Sequence, residues 1–157
     1  MTWSPANNHC PSEGVRGCPT LLRRRVVVMD PPDDAVETAT SFYWVYDGIL
    51  YVRNKGIRST GDTVIDSRTA IRDLMDGAPL PMLNDLRGWP GTDPEGWTTF
   101  VQNIASVSSA VAFVVDAESS ARLGPWPEAM NRLLIPFQVF TEEAEALAFL
   151  QGFLPSE

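Results

Sequence analysis

Two aspartates stand where predicted strands end, and their position makes them the best candidates for a chemical site in this chain. Asp85 closes an apolar run that includes Met82 and Leu83, and Asp116 closes the apolar run Ala110–Val115. Open α/β sheets place their sites at the carboxyl ends of strands, so both aspartates are candidates for a polar or metal site. The alternative is that both carboxylates only cap turns.

Two arginines, Arg87 and Arg122, follow these aspartates closely in the sequence and are able to pair with them. Surface pairing is the simpler explanation, because exposed ion pairs are common and contribute little to stability. We therefore treat Asp85 and Arg87 as candidate interaction or regulatory residues and not as catalytic ones.

The sequence contains no group of residues that is typical of a catalytic centre. Nucleophilic catalysis requires a base beside the nucleophile, and the one histidine, His9, lies in the N-terminal tail. Cys10 and Cys18 lie there too, at a spacing that does not fit a metal site, and we interpret them as unpaired thiols. No glycine loop has the phosphate-binding pattern. We predict a protein that is not an enzyme and that carries no cofactor and no metal ion.

A predicted strand–helix–strand unit over Leu80–Asp116 positions the two aspartates. Four apolar side chains recur in it at the spacing of one helix face: Trp97, Phe100, Val101 and Ile104. Two strands joined by a helix favour parallel pairing and a right-handed crossover.

Two capping schemes fit the start of this helix. Asp93 can cap it with Pro94 as the first helical residue, or Thr92 and Glu95 can form a capping box. Both schemes place the start of the helix within one residue of Asp93.

The strongest local signal is a β-hairpin over Ser41–Arg53. Its two β-rich runs flank Asp47 and Gly48, a dipeptide that favours a two-residue turn because both positions accept a positive φ. The turn predicts two cross-strand pairs, Tyr46 with Ile49 and Trp44 with Tyr51.

This register gives the hairpin two different faces. One is aromatic and carries Phe42, Trp44, Tyr46, Ile49, Tyr51 and Arg53; the other carries Tyr43, Val45, Leu50 and Val52. The second face suits packing under helices. The aromatic face is either covered by helices or the N-terminal segment, or it contacts a protein partner or a second copy of the chain, with Trp44, Tyr46 and Tyr51 as contact residues.

The remaining segments supply further helices and one strand. A helix over Asp62–Asp76 ends at Gly77, and its inward side chains are Val64, Ile65, Ile71, Leu74 and Met75. Residues 117–134 form a broken helical region, and Pro136–Phe140 form a short strand. Thr141 caps a final helix that docks through Leu147, Leu150 and Leu154.

Taken in order, the elements predict an α/β fold whose mixed, mostly parallel sheet is opened by the antiparallel aromatic hairpin, with about four helices. Residues 41–154 are assigned to this domain. Residues 1–40 are predicted to be a largely irregular N-terminal extension, with a loop at 30–40 and a possible strand at 21–29.

Charge and hydropathy exclude two classes of partner. The chain has 157 residues and a net charge of −8, whereas nucleic acids and anionic membrane surfaces bind clustered positive charge. Apolar runs long enough to span a membrane, and the apolar core of a signal peptide, are not found in the sequence. We therefore expect a cytoplasmic protein without nucleic-acid partners or membrane insertion.

Four motifs, in their order and spacing, resemble the STAS-like proteins of bacteria (the SEC14/STAS and anti-sigma-factor-antagonist-like group). Leu83–Gly88 reads LNDLRG, similar to the family's L-x-D-x-R-G strand end, and Ala110–Val115 matches its apolar strand. Ser120–Leu123 matches its s-x-R-l turn. Pro136–Leu150 resembles its ending, with Phe149 where tryptophan is usual. The resemblance implies a STAS-like fold and a regulatory role through protein contacts. The aromatic hairpin face adds a homodimer as one form of such contacts.

The resemblance also locates the phosphoacceptor of the antagonists, and this chain lacks it. The antagonist sequence DLSGVSFIDSSGL, laid without gaps from Asp85 to Trp97, places its second aspartate on Asp93 and the two adjacent serines that follow on Pro94 and Glu95. The second of these adjacent serines is the one that accepts phosphate in the antagonists. A carboxylate therefore stands where the phosphate would be. We predict that phosphorylation does not switch this helix. Glu95 either mimics the charged state, with less charge than a phosphate, or only supports the helix N-terminus.

Two other interpretations remain open from the sequence. Related lipid-transfer-like folds enclose apolar molecules, so the domain is alternatively a small apolar-ligand or lipid-binding module, which a deep apolar pocket would favour. The chain also resembles a degenerate receiver domain with Asp85 as phosphoacceptor and Asp30 and Asp33 as further magnesium ligands. However, the lysine that a receiver needs before its proline is Ile135 here.

Overall fold

The molecule is built on one mixed β-sheet. The structure, a computed structural model, describes residues 30–124 and 135–155. Within them the sheet has six strands in the spatial order β1 to β6: Val36–Glu37, Ser41–Tyr46, Ile49–Asn54, Leu80–Asp85, Ser108–Val114 and Phe137–Phe140. The first two pairings are antiparallel, and the three pairings from β3 to β6 are parallel. The predicted fold class is confirmed.

The hairpin formed by β2 and β3 has the register that its turn predicted. Asp47 and Gly48 both take positive φ, at 49° and 77°, as a two-residue turn of this kind requires. The cross-strand partners include Trp44 with Tyr51 and Tyr46 with Ile49. A local sequence signal was therefore sufficient to fix the pairing.

Four helices lie among the described residues. They are α1 (Gly61–Leu74), α2 (Pro94–Val107), α3 (Ala117–Leu123) and α4 (Glu143–Gln151). Thr60 and Thr63 form a reciprocal capping box at the start of α1. The N-cap of α4 is Glu142, whose side chain makes no capping hydrogen bond, so the prediction of Thr141 as the cap was wrong by one residue.

The sheet separates two apolar layers. On one face, side chains of α1 and α2 such as Ile71, Trp97 and Ile104 pack on Met82 and Phe113 of the central strands. The other face is covered by α4: Trp44, Tyr51 and Leu83 pack with Ala146 and Leu150. The central strand β5 is buried on both faces, as its unbroken apolar run predicted.

The aromatic face of the hairpin is part of the core. Trp44 and Tyr51 are only 5% and 4% exposed, and their rings stack with centroids 5.3 Å apart. Of the two alternatives, cover by a helix is therefore what is seen. The use of Trp44 and Tyr51 as exposed contacts for a partner or a second copy was wrong, because α4 occupies that surface. Tyr46, near the turn, remains half exposed.

Three smaller expectations also need correction. Val36 and Glu37, within the segment predicted as a loop, pair with β2 and extend the sheet. Ile65, predicted to face inward, is half exposed. Val45, on the hairpin face that was predicted to pack under helices, is also exposed. Residues 1–29 and 125–134, and with them the possible strand at 21–29 and the second half of the broken helical region, lie outside the described residues.

Candidate functional site

Asp85 is the centre of a buried ion-pair cluster at the carboxyl end of β4. The guanidinium of Arg87 donates two hydrogen bonds to the Asp85 carboxylate, from Nε to Oδ1 at 2.9 Å and from Nη2 to Oδ2 at 2.8 Å. The backbone N–H of Arg87 also donates to Oδ1, at 3.0 Å. The expected pairing of Arg87 with Asp85 is confirmed, but Asp85 is only 6% exposed, so it is not a surface pair.

The cluster extends to three further charged residues. Arg53 on β3 places its Nε 3.5 Å from Oδ2 of Asp85, an ion pair without a hydrogen bond, and its Nη1 2.9 Å from Asp30. The Nη2 of Arg87 lies 3.4 Å from Oε2 of Glu143, which is buried at the start of α4. The hydrogen bond to Asp85 and the two carboxylates raise the pKa of Arg87. These contacts join β3, β4 and α4 at one end of the sheet.

This geometry does not fit a phosphoacceptor aspartate. Both carboxylate oxygens of Asp85 accept hydrogen bonds from a guanidinium, so neither is directed at a phosphoryl donor. Asp30 pairs with Arg53 instead of converging on Asp85, and Asp33 is exposed. Across residues 30–124 and 135–155 no group of three histidine, cysteine or acidic side chains is close enough to hold a metal ion.

Asp116 caps turns, which was one of its two predicted roles. Its Oδ1 accepts from the backbone N–H of Ser119 at 2.8 Å, and its Oδ2 accepts from that of Gly88 at 2.9 Å. These donors, Ser119 first, lower the pKa of Asp116 from 3.8 to about 2. The expected pairing of Arg122 with Asp116 was wrong: Arg122 donates to the carbonyl of Trp89 and lies 3.8 Å from Glu118.

The N-terminus of α2 holds Asp93, Pro94 and Glu95, the segment that the sequence resemblance aligned with the serines of the antagonists. Asp93 is the N-cap, accepting from the N–H of Gly96 at 2.6 Å, and Pro94 is the first helical residue, so the first of the two capping schemes is confirmed. Glu95 is exposed. Its side chain lies directly over Gly61, where a Cβ would stand 2.8 Å from its Cγ. Glu95 therefore extends from the first turn of α2 over the first turn of α1.

A short backbone junction holds these two helix N-termini together. Ser59 and Thr92 form an isolated parallel bridge, in which the N–H of Ser59 donates to the carbonyl of Gly91 and the N–H of Asp93 donates to the carbonyl of Ser59. The hydroxyl of Thr92 also donates to the carbonyl of Ser59, at 3.0 Å. Sequence reasoning missed this junction.

A cavity of about 110 Å³ lies between the sheet and the helices α1 and α2. Its apolar lining comes mainly from Tyr43, Val52, Val64, Ile71, Met82, Leu86, Trp89, Trp97, Phe100, Ile104, Val107 and Phe113. Polar groups enter this lining at Asn54, Asn84 and Arg68. The cavity was not predicted from the sequence. A deep apolar pocket was, however, the feature that we expected to favour the ligand-binding interpretation.

The predicted site residues thus fall into separate groups. Asp85 and Arg87 belong to the ion-pair cluster, Asp93 and Glu95 to the helix junction, and Trp44 and Tyr51 to the core beneath α4. Burial raises the pKa of Tyr51 to about 12, and the nearby carboxylates of Glu143 and Asp47 contribute to this rise. Through Glu143, Tyr51 is connected to the ion-pair cluster. In the part of the chain that the structure describes, no helix combines the length and the apolar character needed to cross a membrane.

Comparison with known proteins identifies the family of this chain and a solved structure with a similar fold. The family described as "Domain of unknown function (DUF7793)" matches residues 43–154, so the chain belongs to this family. Among proteins with curated descriptions, none matches the chain. A similar solved structure is the crystal structure of an uncharacterized protein from the DUF3478 family, with a SpoIIAA-like fold, from Shewanella loihica PV-4. It is 16% identical, covers 74% of this chain and 89% of its own, and superposes with a TM-score of 0.51. The chain therefore has a SpoIIAA-like fold.

Proposed function

We propose that this DUF7793 protein is a non-enzymatic regulatory domain of the cytoplasm that acts by binding another protein at the N-terminus of α2. The observation that carries the proposal is the position of Glu95. It aligns with the phosphoacceptor position of the anti-sigma-factor antagonists that the sequence resembles, and Glu95 is an exposed residue. The SpoIIAA-like fold supports the same assignment.

The surroundings of Glu95 support a fixed, prepared surface. Asp93 caps α2, and the backbone bonds between Ser59 and the Gly91–Asp93 segment keep the first turns of α1 and α2 side by side. Such preorganisation reduces the entropy that binding costs. A glutamate at this position needs no kinase to supply a carboxylate. The domain would accordingly bind its partner without a phosphorylation switch.

The ion-pair cluster supports this assignment indirectly. Asp85 is fully engaged by arginine side chains, and Asp116 by backbone N–H groups, so the two aspartates at the strand ends serve the architecture. Because α4 covers Trp44 and Tyr51, we do not propose a homodimer through the aromatic hairpin face. The partner surface that we propose lies on the opposite helical layer.

A charge-reversal pair tests the proposal. The full chain and its Glu95→Lys variant would be used to capture binding proteins, identified by mass spectrometry, and each affinity would then be measured with the purified partner. The matched control is Glu145→Lys, the same change at an exposed residue in the first turn of α4, on the other side of the sheet. Circular dichroism and thermal unfolding would establish that both variants are folded.

We expect one partner to bind the wild type and Glu145→Lys equally and to bind Glu95→Lys at least about tenfold more weakly. A partner that binds all three proteins equally would contradict the proposed surface. The absence of any saturable protein partner for the wild type would contradict the proposed function itself.

A further inference from the structure

The cavity under α1 and α2 has the composition of a small-molecule site. Aromatic rings form much of its wall, with Trp97 edge-on to both Trp89 and Phe100 at centroid distances of 5.6 and 5.8 Å. Ligand sites in proteins are concave, mainly apolar, and furnished with a few polar groups that fix orientation. The polar groups here include Arg68, on the same face of α1 as the lining residues Val64 and Ile71.

Arg68 supplies a donor that has no acceptor in the part of the chain that the structure describes. Its Nε is buried and has no hydrogen-bond partner among the described residues, and the ion pairs of the described residues do not include it. Two neighbouring polar side chains have partners of their own: Ser67 is hydrogen-bonded to Tyr43, and Asn54 donates to the carbonyls of Asp85 and Arg87. A buried donor left without an acceptor is costly, and a guanidinium prefers a carboxylate as its acceptor.

The volume of the cavity limits what it can hold. An engineered apolar cavity of about 150 Å³ is large enough for benzene. The present cavity, at about 110 Å³, is somewhat smaller and is bounded partly by adjustable side chains. A body of one aromatic ring or a short branched chain fits this size, whereas a long acyl chain does not.

We propose that this cavity binds a small carboxylate whose apolar body is no larger than about one aromatic ring. The apolar body packs among Val64, Trp97 and Phe100, and the carboxylate accepts hydrogen bonds from Arg68. This ligand site is separate from the protein-binding function proposed above and does not depend on it. It narrows the lipid-binding interpretation of the sequence to small acids.

Benzoate is the probe, with benzyl alcohol as an uncharged ligand of similar size. Binding to the full chain would be measured by calorimetry and by tryptophan fluorescence, since Trp89 and Trp97 line the cavity. Arg68→Gln removes the proposed carboxylate partner, and Arg72→Gln, at an exposed position one turn further along α1, is its matched control. Val64→Phe fills the cavity, and Ile65→Phe places the same ring at an exposed neighbour.

We expect wild type to bind benzoate with a Kd at or below about 1 mM, and at least about tenfold more tightly than benzyl alcohol. Arg68→Gln should lose this preference and Arg72→Gln should keep it. Val64→Phe should bind neither probe, while Ile65→Phe behaves as wild type.

Three results would overturn the proposal. The first is no saturable benzoate binding by the wild type, which would mean that the cavity holds only solvent. The second is an unchanged preference for benzoate in Arg68→Gln, a result that does not depend on whether Val64→Phe folds. The third is tight binding of decanoate that Val64→Phe abolishes, which would show that the site accepts a long acyl chain.

Discussion

Gly96 is the residue at which the packing of the two helix N-termini can be tested most sharply. A Cβ added there would overlap the hydroxyl oxygen of Thr92 and would also lie 3.1 Å from Oδ1 of Asp93 and 3.3 Å from the carbonyl carbon of Thr60. The φ of Gly96 is not in the left-handed region, so the backbone itself would accept alanine. The obstacle is therefore the neighbouring junction.

The expected magnitude follows from these contacts. Gly96→Ala must displace the hydroxyl of Thr92 and break its hydrogen bond to the carbonyl of Ser59, which costs about 1 kcal/mol. The tight approach to the Thr60 backbone adds strain, so that overpacking costs of about 1–3 kcal/mol apply. Against this, replacing a helical glycine by alanine gains about 0.5–1 kcal/mol. We expect Gly96→Ala to lower the free energy of unfolding by about 1–3.5 kcal/mol.

A double-mutant cycle with Thr92→Ala is the assay, with the free energy of unfolding measured in urea for all four proteins. Thr92→Ala alone should cost about 1 kcal/mol, because it removes the same hydrogen bond. In that background the overlap with the Thr92 hydroxyl disappears and only the closer contacts with Asp93 and Thr60 remain, so Gly96→Ala should cost less than it does in the wild type. Gly61→Ala is a matched control at another helix N-terminus, where the three heavy atoms nearest to the new Cβ all belong to the flexible side chain of Glu95. Additive effects, or a neutral Gly96→Ala in the wild-type background, would refute the reasoning.

Two further predictions concern the acids at the strand ends. Asp85→Asn should lower the free energy of unfolding in urea by about 3 kcal/mol, the low end for breaking a buried ion pair, because the arginines are partly solvated. The exposed pair of Glu118 with Arg122 is the control: Glu118→Gln should cost less than about 0.5 kcal/mol, and equal costs would contradict the prediction. Asp116 has a folded-state pKa of about 2, below its ordinary 3.8, so the unfolded chain binds more protons between these values and the stability due to Asp116 is lost as the pH falls through them. Acid titration of unfolding should therefore be shallower for Asp116→Asn than for wild type, and identical profiles would rule out this contribution.

Several features that depend on neighbouring residues were predicted correctly from the sequence. The turn at Asp47 and Gly48 fixes the hairpin register because the required φ values are a property of those two residues. The start of α2 follows from Asp93 and Pro94 for the same reason, since a capping side chain reaches only the N–H groups of the next three residues. The unbroken apolar run of β5 likewise predicts a strand that is covered on both faces.

Features that depend on distant residues were not predicted. Whether the aromatic face of the hairpin is open or covered is decided by Ala146 and Leu150, about a hundred residues further along the chain. The contact between the carboxylate of Glu143 and Arg87 joins residues more than fifty positions apart, and no local pattern predicts it. Hydropathy patterns state which face of an element is apolar, but they do not state which other element covers it.

The two proposals meet at the first turn of α2. Gly96 and Trp97 face the cavity, while Glu95, the residue before them, is exposed on the proposed partner surface. A ligand that packs against Trp97 therefore acts on the same helical turn that presents Glu95, and the junction with Ser59 restricts how that turn can move. Under both proposals, a ligand in the cavity that shifts this helical turn also changes the affinity of the protein for its partner. Linkage then requires the partner to change the affinity for the ligand by the same factor, so either measurement alone would reveal the coupling.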